Sequence, residues 1–378
     1  MHSDDRNAPA THPRRDGMSR SAFLRATAGA ALAGGLSLVS APAARAAANG
    51  AEQAQALDVH KMMDLTGPGV TTRFAMEATD LGIPARCPDG SLLFVFGDTF
   101  QDARVGGNWW RSPVALRATA DSMTNAVRWT GSIGGEQAQQ LWYYEHDNPV
   151  FSTVLPSDVI TIGGSMFLHV MVNSGLGNVV WTEIWRSDDS GATWYHTGAK
   201  FPPDLHGGMF QLFTWGLGND GFVYVMSTGF QRDKSLILHR VRSERITDLS
   251  AYEPWGWRDN AWAWGNPPTP VLEGRFGELC LRPLDGKWIL TFFNAGDYRI
   301  DGIIMDTPTS NLYTAHRETL LWGGAWGSED DTHVAQLYGG YVIPGSTLND
   351  LSLSVSQWNT SAGWPYRVMQ FRIQGFGG

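Results

Sequence analysis

The sequence has 378 residues, of which 43% are hydrophobic and 17% are charged, and its 28 basic and 37 acidic residues give a net charge of −9. This composition supports a sizeable core and excludes a disordered chain, and the acidic balance argues against a nucleic-acid or anionic-membrane partner. Two cysteines are too few for a disulfide scaffold or a zinc cluster, whereas 17 tryptophans and 44 glycines favour a turn-rich β protein that handles flat, polar ligands such as sugars.

The N-terminal segment has the order of features found in export signals. Basic residues, including Arg20 and Arg25, precede an apolar run over 26–39 that is shorter than the ~20 residues needed to span a bilayer. The triplet Ala44-Arg45-Ala46 then fits a signal-peptidase site. The stretch around Arg20 resembles a twin-arginine signal, although Ser21 occupies the position of the second arginine.

This pattern sets the predicted domain organisation. We expect residues 1–46 to be removed on secretion, residues 47–63 to form a linker and residues 64–378 to form one catalytic domain. The secreted product is expected to be a monomer that is not attached to a membrane. Cys87 and Cys280 would then be in an oxidising compartment, and the sequence leaves open whether they pair.

Five β-hairpins are predicted along the rest of the chain. In each, a β-rich run meets a tight turn and a second apolar run, and the turns contain Gly90, Gly164, Gly221, Gly286 and Gly345. These glycines are 74, 57, 65 and 59 residues apart, which leaves room for one four-stranded sheet with its loops in each repeat. The repeat predicts an all-β, five-bladed β-propeller, with a β-sandwich of the same strands as the alternative.

One further turn supports a propeller. The segment 187–194, Ser-Asp-Asp-Ser-Gly-Ala-Thr-Trp, fits the Asp-box pattern that resembles the outer-hairpin turn of sialidases and other propellers. We expect Asp189 and Thr193 to hydrogen-bond within the turn and Trp194 to pack beneath it, which is a structural role.

Two acids of the first hairpin are candidates for catalysis. Asp80 and Asp98 lie at equal distances on either side of the turn residue Asp89, so a symmetric register places them opposite each other at the open end of the hairpin. In a propeller that end borders one mouth of the central channel. Two close acids repel, which raises one pKa and leaves the other group ionised, as glycoside hydrolysis requires.

Other polar and aromatic residues are predicted near the same mouth. Asp158 and Glu278 are each predicted to open an inner strand and are candidate supporting acids, although Asp158 also fits a simple turn residue. Trp215 and Tyr338 are candidates to stack on a sugar ring. Connections that follow the first hairpin add further candidate substrate-binding residues, namely Trp110, Arg111 and Asn148. The histidines have no zinc-ligand spacing, and neither a metal nor a cofactor is expected.

Several motifs together resemble one family. They are Thr79–Pro84, Phe94–Phe100, Trp110–Val114, Leu155–Asp158, Val179–Asp188, Gly277-Glu278, Tyr338–Gly345 and Ser356–Asn359, and they are similar to glycoside hydrolase family 183, from about Asp64 to Ile373. The resemblance implies a five-bladed propeller and an endo-acting D-arabinofuranosidase that cuts α-linked D-arabinan, the polymer of mycobacterial arabinogalactan and lipoarabinomannan. It also implies that Asp80 and Asp98 are the catalytic acids, and its last motif adds Gln357 as a candidate substrate-binding residue.

The stereochemistry and two rival functions stay open at the level of sequence. Inverting enzymes need carboxyl groups about 6.5–9.5 Å apart and retaining enzymes about 5–5.5 Å, and inversion is preferred here because side chains can splay at a strand end. Another propeller glycosidase, sialidase-like or a different furanosidase, is one alternative. A non-catalytic carbohydrate-binding propeller is the other.

Overall fold

The computed structural model describes residues 57–119 and 126–377 of the chain. Within these ranges the regular structure consists of 22 β-strands and four short 3₁₀ turns, without an α-helix. The 3₁₀ turns are Thr72–Phe74, Leu205–Gly208, Ser243–Arg245 and Leu249–Ala251. The predicted export signal, residues 1–46, lies outside the described residues and stays a prediction.

The strands are arranged in five blades of mainly antiparallel strands, of which two share one continuous sheet. The first strand is β1 (Asp58–Asp64), which belongs to the last blade. Blade 1 contains β2 (Ile83–Arg86), β3 (Leu92–Phe96), β4 (Val114–Ala118) and β5 (Trp129–Ser132). Blade 2 contains β6 (Thr153–Ile162), β7 (Ser165–Asn173), β8 (Val179–Ser187) and β9 (Tyr195–Phe201).

The remaining three blades follow in chain order. Blade 3 contains β10 (Leu212–Leu217), β11 (Phe222–Thr228), β12 (Lys234–Arg242) and the hairpin β13 (Glu253–Arg258) and β14 (Ala261–Trp264). Blade 4 contains β15 (Leu272–Leu284), β16 (Lys287–Asn294), β17 (Arg299–Met305), β18 (His316–Gly324) and β19 (His333–Ala335). Blade 5 contains β20 (Leu337–Val342), β21 (Asp350–Trp358), β22 (Tyr366–Gln374) and β1.

The inner strands of the blades close a ring. Strand β2 packs against β6, β6 against β10, β10 against β15, β15 against β20, and β20 again against β2. Blades 3 and 4 are also joined by hydrogen bonds between β12 and β15. The fold is therefore a five-bladed β-propeller, which confirms the predicted fold class over the sandwich. Each predicted hairpin turn joins the inner strand of a blade to the second strand of that blade.

The ring is closed by strands from both ends of the described chain. Strand β1 pairs with β22, from Asp58 opposite Gln374 to Asp64 opposite Met369, and so forms the outer strand of blade 5. Most of β1 lies within residues 47–63, which were predicted to be a linker. That boundary is corrected here: Val59 is buried in the core beside strand β22, so this segment is part of the folded domain.

The Asp-box turn joins β8 to β9 and has the predicted structural role. Asp189 accepts hydrogen bonds from the backbone N–H of Thr193 at 2.8 Å and from its hydroxyl at 2.6 Å. The indole of Trp194 is buried and donates to the carbonyl oxygen of Gly191 at 3.0 Å. The turn therefore stabilises the outer hairpin of blade 2. It lies at the end of the blade opposite Thr153, the first residue of β6.

Cys87 and Cys280 are both buried and unpaired, so the disulfide that the sequence left open is not formed. Among the residues that the structure describes, no helix has the length and apolar character needed to cross a membrane.

Candidate active site

The two acids of the first hairpin lie on facing segments. Strands β2 and β3 pair Ile83 with Val95, and an isolated bridge between Ala78 and Phe100 continues the same register beyond the strands. Asp80 and Asp98 lie between these two fixed points. The register thus carries both acids to the end of the ring at which the inner strands begin, which is called the mouth below.

The backbone around Asp80 departs from a regular strand. Leu81 has a φ of 66°, an uncommon value for a residue with a side chain, and its N–H donates to the hydroxyl of Ser356 in blade 5 at 2.8 Å. Across the hairpin, Gly97 donates its N–H to the carbonyl oxygen of Asp80 at 3.2 Å. A Cβ atom at Gly97 would lie only 2.4 Å from Oδ1 of Asp80, so the carboxyl group occupies the space that a side chain would need.

Asp80 is poised to hold a proton near neutral pH. Its Oδ2 accepts a hydrogen bond from the hydroxyl of Tyr338 at 2.8 Å, whereas its buried Oδ1 has no protein partner. Burial raises the pKa of Asp80 from 3.8 to about 7, with a further increase from the charge of Asp98 and a smaller one from Glu278. Hydrogen bonds from Tyr338 and Tyr366 oppose the increase because they favour the carboxylate.

Asp98 accepts more side-chain hydrogen bonds than Asp80 does, and these bonds favour its carboxylate form. Its Oδ1 accepts from the indole N–H of Trp110 at 2.8 Å and from the hydroxyl of Thr153 at 2.7 Å, and the residue is 9% exposed. Burial raises the pKa of Asp98 above its ordinary value, and the hydrogen bonds from Thr153, Trp110 and Ser112 oppose that increase. The two acids therefore take their partners from opposite neighbours, Asp80 from blade 5 and Asp98 mainly from blade 2 and the loop after β3.

A third acid completes the site together with an arginine. Glu278 is 4% exposed and lies in the bulge of β15, where its Oε1 forms an ion pair with Arg232 at 2.5 Å and its Oε2 is buried without a protein partner. Arg232 has a φ of 58° in the turn between β11 and β12. Its guanidinium lies 4.8 Å from the ring centroid of Tyr338. The arginine thus connects blades 3, 4 and 5 beside Asp80.

Aromatic rings line the Asp98 side of the site. The indole of Trp110 stacks on His146 with ring centroids 3.8 Å apart, and His146 also contacts Tyr144. Burial lowers the pKa of His146 to about 4, so this imidazole is neutral near pH 7. Neutral, stacked rings next to an acid provide a surface that suits the face of a sugar.

Asp158, predicted as a supporting acid at the mouth, lies elsewhere. Strand β6 begins at Thr153, so Asp158 is in the middle of the strand and is fully buried. It forms two hydrogen bonds with Arg282, at 2.9 and 2.7 Å, and accepts others from Thr214 at 2.6 Å and from the N–H of Trp215 at 2.8 Å. This fully bonded carboxylate ties blades 2, 3 and 4 together and does not reach the site.

Two of the predicted substrate-binding residues are also buried in structural roles. Arg111 is 2% exposed and donates to the backbone carbonyl oxygens of Ala75 and Ala138, so it fixes two loops. Trp215 is fully buried and packs against Phe213 with ring centroids 5.3 Å apart. Neither side chain can stack on or bind a ligand at the mouth, because each lies inside the protein.

Gln357 and Asn148 have local roles as well. Gln357 is fully buried, with its amide donating to the carbonyl oxygen of Ala335 at 3.0 Å and accepting from Arg367 at 3.1 Å. Asn148 accepts from the N–H of Val150 at 2.9 Å and shapes the loop that carries His146. Of the predicted residues, the structure therefore brings together Asp80, Asp98, Glu278, Trp110 and Tyr338. The predicted stacking of Tyr338 on a sugar ring is wrong, because its ring is buried beneath Arg232 and its hydroxyl donates to Asp80.

Four residues of the site were not predicted from sequence. Thr153 and Tyr366 are the first residues of β6 and β22, and the phase argument that selected Tyr338 would have selected them had the strand starts been known. His146 lies in the same loop as the predicted Asn148, but its contact with Trp110 depends on how that loop folds. No sequence pattern indicates Arg232, because its position depends on its own left-handed backbone conformation in a turn.

The arrangement has a clear chemical capacity. All five blades contribute to one cluster, with Asp80 and Asp98 from blade 1, Thr153 from blade 2, Arg232 from blade 3, Glu278 from blade 4 and Tyr338 and Tyr366 from blade 5. The pKa of Asp80 is raised to about 7, and Asp80 faces a second acid, Asp98, that accepts hydrogen bonds from Trp110 and Thr153. Such a pair can donate a proton to a leaving oxygen while a second group activates water.

The fold and site together define a five-bladed propeller with an acidic cluster at one mouth. The sequence model of the family described as "Domain of unknown function (DUF4185)" matches residues 66–372, and the chain belongs to this family.

Two relatives match most of the chain. The "Uncharacterized 35.9 kDa protein in asd 3'region" of Mycolicibacterium smegmatis is 29% identical over 327 residues, which cover 81% of this chain and 96% of that protein. "Notoamide biosynthesis cluster protein J'" of Aspergillus versicolor is 30% identical over 319 residues, which cover 77% of this chain and 83% of that protein.

Solved structures share the fold at much lower sequence identity. A putative hydrolase from Bacteroides ovatus has a TM-score of 0.58 at 11% identity, and the match covers 85% of this chain and 92% of that one. The GH43_1 enzyme from Xanthomonas citri in complex with xylotriose has a TM-score of 0.50 at 12% identity, with 83% and 90% covered. At these identities the likeness concerns the fold alone.

Proposed function

We propose that the protein is a secreted glycoside hydrolase that cuts α-linked D-arabinofuranosyl polymers at internal positions, using Asp80 and Asp98 as its catalytic acids. The observation that carries the proposal is the state of Asp80. Its pKa is raised to about 7, its Oδ1 is buried without a protein partner, and it faces a second acid. A buried carboxyl group is costly to a fold, and a role in proton transfer accounts for it.

The surroundings of the two acids support different roles. We assign Asp80 as the general acid, because burial and the charge of Asp98 raise its pKa to about 7, so it holds a proton close to neutral pH. We assign Asp98 as the general base, because Trp110 and Thr153 both donate to its Oδ1 and favour the carboxylate. Glu278 and Arg232 adjust the charge beside Asp80, and Tyr338 orients it.

Inversion of the anomeric centre is the favoured stereochemistry. Asp80 is drawn towards Tyr338 of blade 5 and Asp98 towards Thr153 of blade 2, and partners on opposite sides favour the wider carboxyl separation that leaves room for a water molecule. Proton NMR of the first-formed product tests this proposal. A product with the anomeric configuration opposite to the substrate is expected, and one that keeps the configuration would contradict inversion.

The polymer is proposed from the motifs. The residues of blade 1 that build the site lie within the segments that resemble glycoside hydrolase family 183, and this resemblance suggests D-arabinan as substrate. The fold is also compatible with glycosidase activity, since the β-xylosidase RS223 shares it with a TM-score of 0.50 at 11% identity. The choice of D-arabinan can be tested directly.

Product sizing after incubation with D-arabinan, arabinoxylan and sialosides provides that test. Short oligosaccharides of several lengths from D-arabinan alone are expected, because an endo-acting enzyme cuts within the chain. Products from arabinoxylan or sialosides alone would replace the proposal with another propeller glycosidase. Binding of D-arabinan without any cleavage would favour a carbohydrate-binding propeller.

Export is proposed on the sequence pattern of residues 1–46. N-terminal sequencing of the protein from the culture medium of a suitable host is expected to show a start after Ala46. Retention of the full-length chain inside the cells would contradict secretion.

A further inference from the structure

Blade 3 ends in a hairpin that carries four tryptophans. Strands β13 and β14 pair Trp255 with Trp264 and Trp257 with Trp262. Because the two pairs are separated by one residue on each strand, all four indoles project from the same face. The rings interlock, with centroids 5.9 Å apart for Trp255 and Trp262 and 6.0 Å apart for Trp257 and Trp262. These two strands are called the tryptophan hairpin below.

The tryptophan hairpin packs Trp255 and Trp264 partly against a core cluster of the propeller and exposes only the other half of its apolar face. It pairs with the rest of blade 3 only through two residues of β12, and it contacts none of the five inner strands through a sheet pairing. Trp257 is 49% exposed and Trp262 is 38% exposed. A group of exposed indoles on one hairpin is unfavourable in water, and such clusters mark binding surfaces.

The opposite face of the hairpin is fixed to the segment that follows it. A Cβ atom at Gly256 would lie 1.9 Å from the carbonyl oxygen of Pro267, so only glycine allows this close approach. The side-chain amide of Asn266 donates to the carbonyl oxygen of Gly256 at 3.1 Å, and Trp257 donates its N–H to the hydroxyl of Thr269 at 2.9 Å. The indoles are therefore presented from a held, pre-organised surface.

The hairpin points to the same side of the propeller as the candidate active site. Strand β12 starts at Lys234, two residues after Arg232 of the site, and runs away from the mouth. Strand β13 is antiparallel to β12, with Glu253 opposite Arg240, so it runs back towards the mouth. The tip of the hairpin, Asp259-Asn260, therefore lies on the mouth side.

The charges around the indoles indicate an uncharged ligand. Arg240 forms an ion pair with Glu253 at 2.8 Å, and its guanidinium also lies 4.4 Å from the ring centroid of Trp264. Arg258 pairs with Asp259 at 3.5 Å. These pairs leave no excess of one sign beside the rings, which argues against a nucleic acid or an acidic polymer and fits the apolar faces of neutral sugars.

We propose that the tryptophan hairpin is a second carbohydrate-binding site, at which an uncharged polysaccharide is held on the mouth side of the propeller. The identity of the polymer, D-arabinan, rests on the proposed function. The hairpin binds a part of the polysaccharide that is distant from the cleaved bond. It therefore increases the affinity for long polymers without contacting that bond.

Affinity electrophoresis through a gel that contains D-arabinan tests the site separately from catalysis. The full protein with Asp98→Asn is compared with the same protein that also carries Trp257→Ala and Trp262→Ala. The added substitutions are expected to weaken retardation about 3- to 10-fold, the effect of losing one or two ring contacts. Trp322→Ala removes a tryptophan that is 42% exposed in blade 4, and it serves as the matched control without effect.

A conservative variant and a kinetic readout make the test decisive. The double variant Trp257→Tyr with Trp262→Tyr is expected to fold and to keep most of the binding. When Asp98 is intact, the variant with both alanine substitutions is expected to cleave short oligosaccharides at the wild-type rate.

The proposal would be overturned if the folded alanine variant were retarded in the gel as strongly as the protein with both tryptophans intact. Loss of a dimer on the alanine substitutions would also overturn it and assign the face to a second copy. Hairpin-dependent binding without cleavage by wild type would refute the proposed function and leave the second site standing.

Discussion

At the scale of single residues, Asp80 combines a raised pKa with a carboxyl oxygen that has no protein partner. Its neighbours act in opposite directions: Glu278 raises the pKa through its charge, and Tyr338 lowers it through a hydrogen bond to Oδ2. The pKa of Asp80 therefore depends on identified neighbouring side chains, and each of them can be removed by a separate substitution.

The pH dependence of activity is expected to follow these two neighbours. In wild type, kcat/KM should fall as pH rises past about 7, because Asp80 loses its proton there. Glu278→Gln should move this fall to lower pH, and Tyr338→Phe should move it to higher pH, with the larger shift for Tyr338→Phe. Glu253→Gln, at an exposed ion pair of blade 3, is the control and should leave the profile unchanged. Equal shifts of the same sign in both site variants would contradict this account of Asp80.

The stability of Asp80→Asn should depend on pH in a defined direction. Because the folded protein binds this proton more tightly than the unfolded chain does, wild-type stability is lost as pH rises from about 4 to 7, whereas the variant has no such loss. The variant should therefore gain stability relative to wild type across this window by at most ~4 kcal/mol, and the difference should be constant above it. Urea unfolding at several pH values measures it. A difference that does not vary between pH 4 and 7 would show that the pKa of Asp80 is not raised.

At the scale of elements, the hairpin β2–β3 does most to build the site. Its register could be predicted because Asp80 and Asp98 are equidistant from a turn whose residues are typical of hairpins. Asp158 could not be placed in the same way. Pro156 indicated a turn before a new strand, but β6 runs through it from Thr153 with a register shift, so Asp158 lies well inside the protein.

The close approach within that hairpin predicts the effect of a single methyl group. Gly97→Ala should displace the carboxyl group of Asp80, and a misplacement of about 1 Å can cost ~10²-fold in kcat/KM. Gly131→Ala, in β5 of the same blade, adds a methyl group to open space and should have wild-type activity. Steady-state kinetics of both variants, with melting curves to show that they fold, check this. Wild-type activity of Gly97→Ala would indicate that the position of Asp80 is not critical.

At the scale of the whole molecule, the number of blades could be predicted from sequence, because five turns with similar spacing recur along the chain. The closure of the ring by strand β1 could not be predicted. Strand β1 has no hairpin partner next to it in sequence. It pairs with β22, about 310 residues further on, and local patterns do not indicate a contact at that distance.

Stability and activity measurements can show whether Asp158 has a structural role or supports catalysis. Asp158→Ala leaves Arg282 without its buried partner and should lower the free energy of unfolding by about 3–5 kcal/mol. The matched change Glu253→Ala, at an exposed ion pair, should cost about 0–1 kcal/mol. Urea unfolding measures both values, and activity per folded molecule should be unchanged. Loss of activity without loss of stability would return Asp158 to the catalytic site.

The most direct test of the central claim is the initial rate at which Asp98→Asn cleaves D-arabinan, measured beside wild type by product sizing. We expect wild type to release short oligosaccharides and the folded variant to be slower by ~10²- to 10⁴-fold while it still binds the polymer, because the group that activates water is lost. Cleavage by the variant at the wild-type rate would show that Asp98 is not one of the catalytic acids.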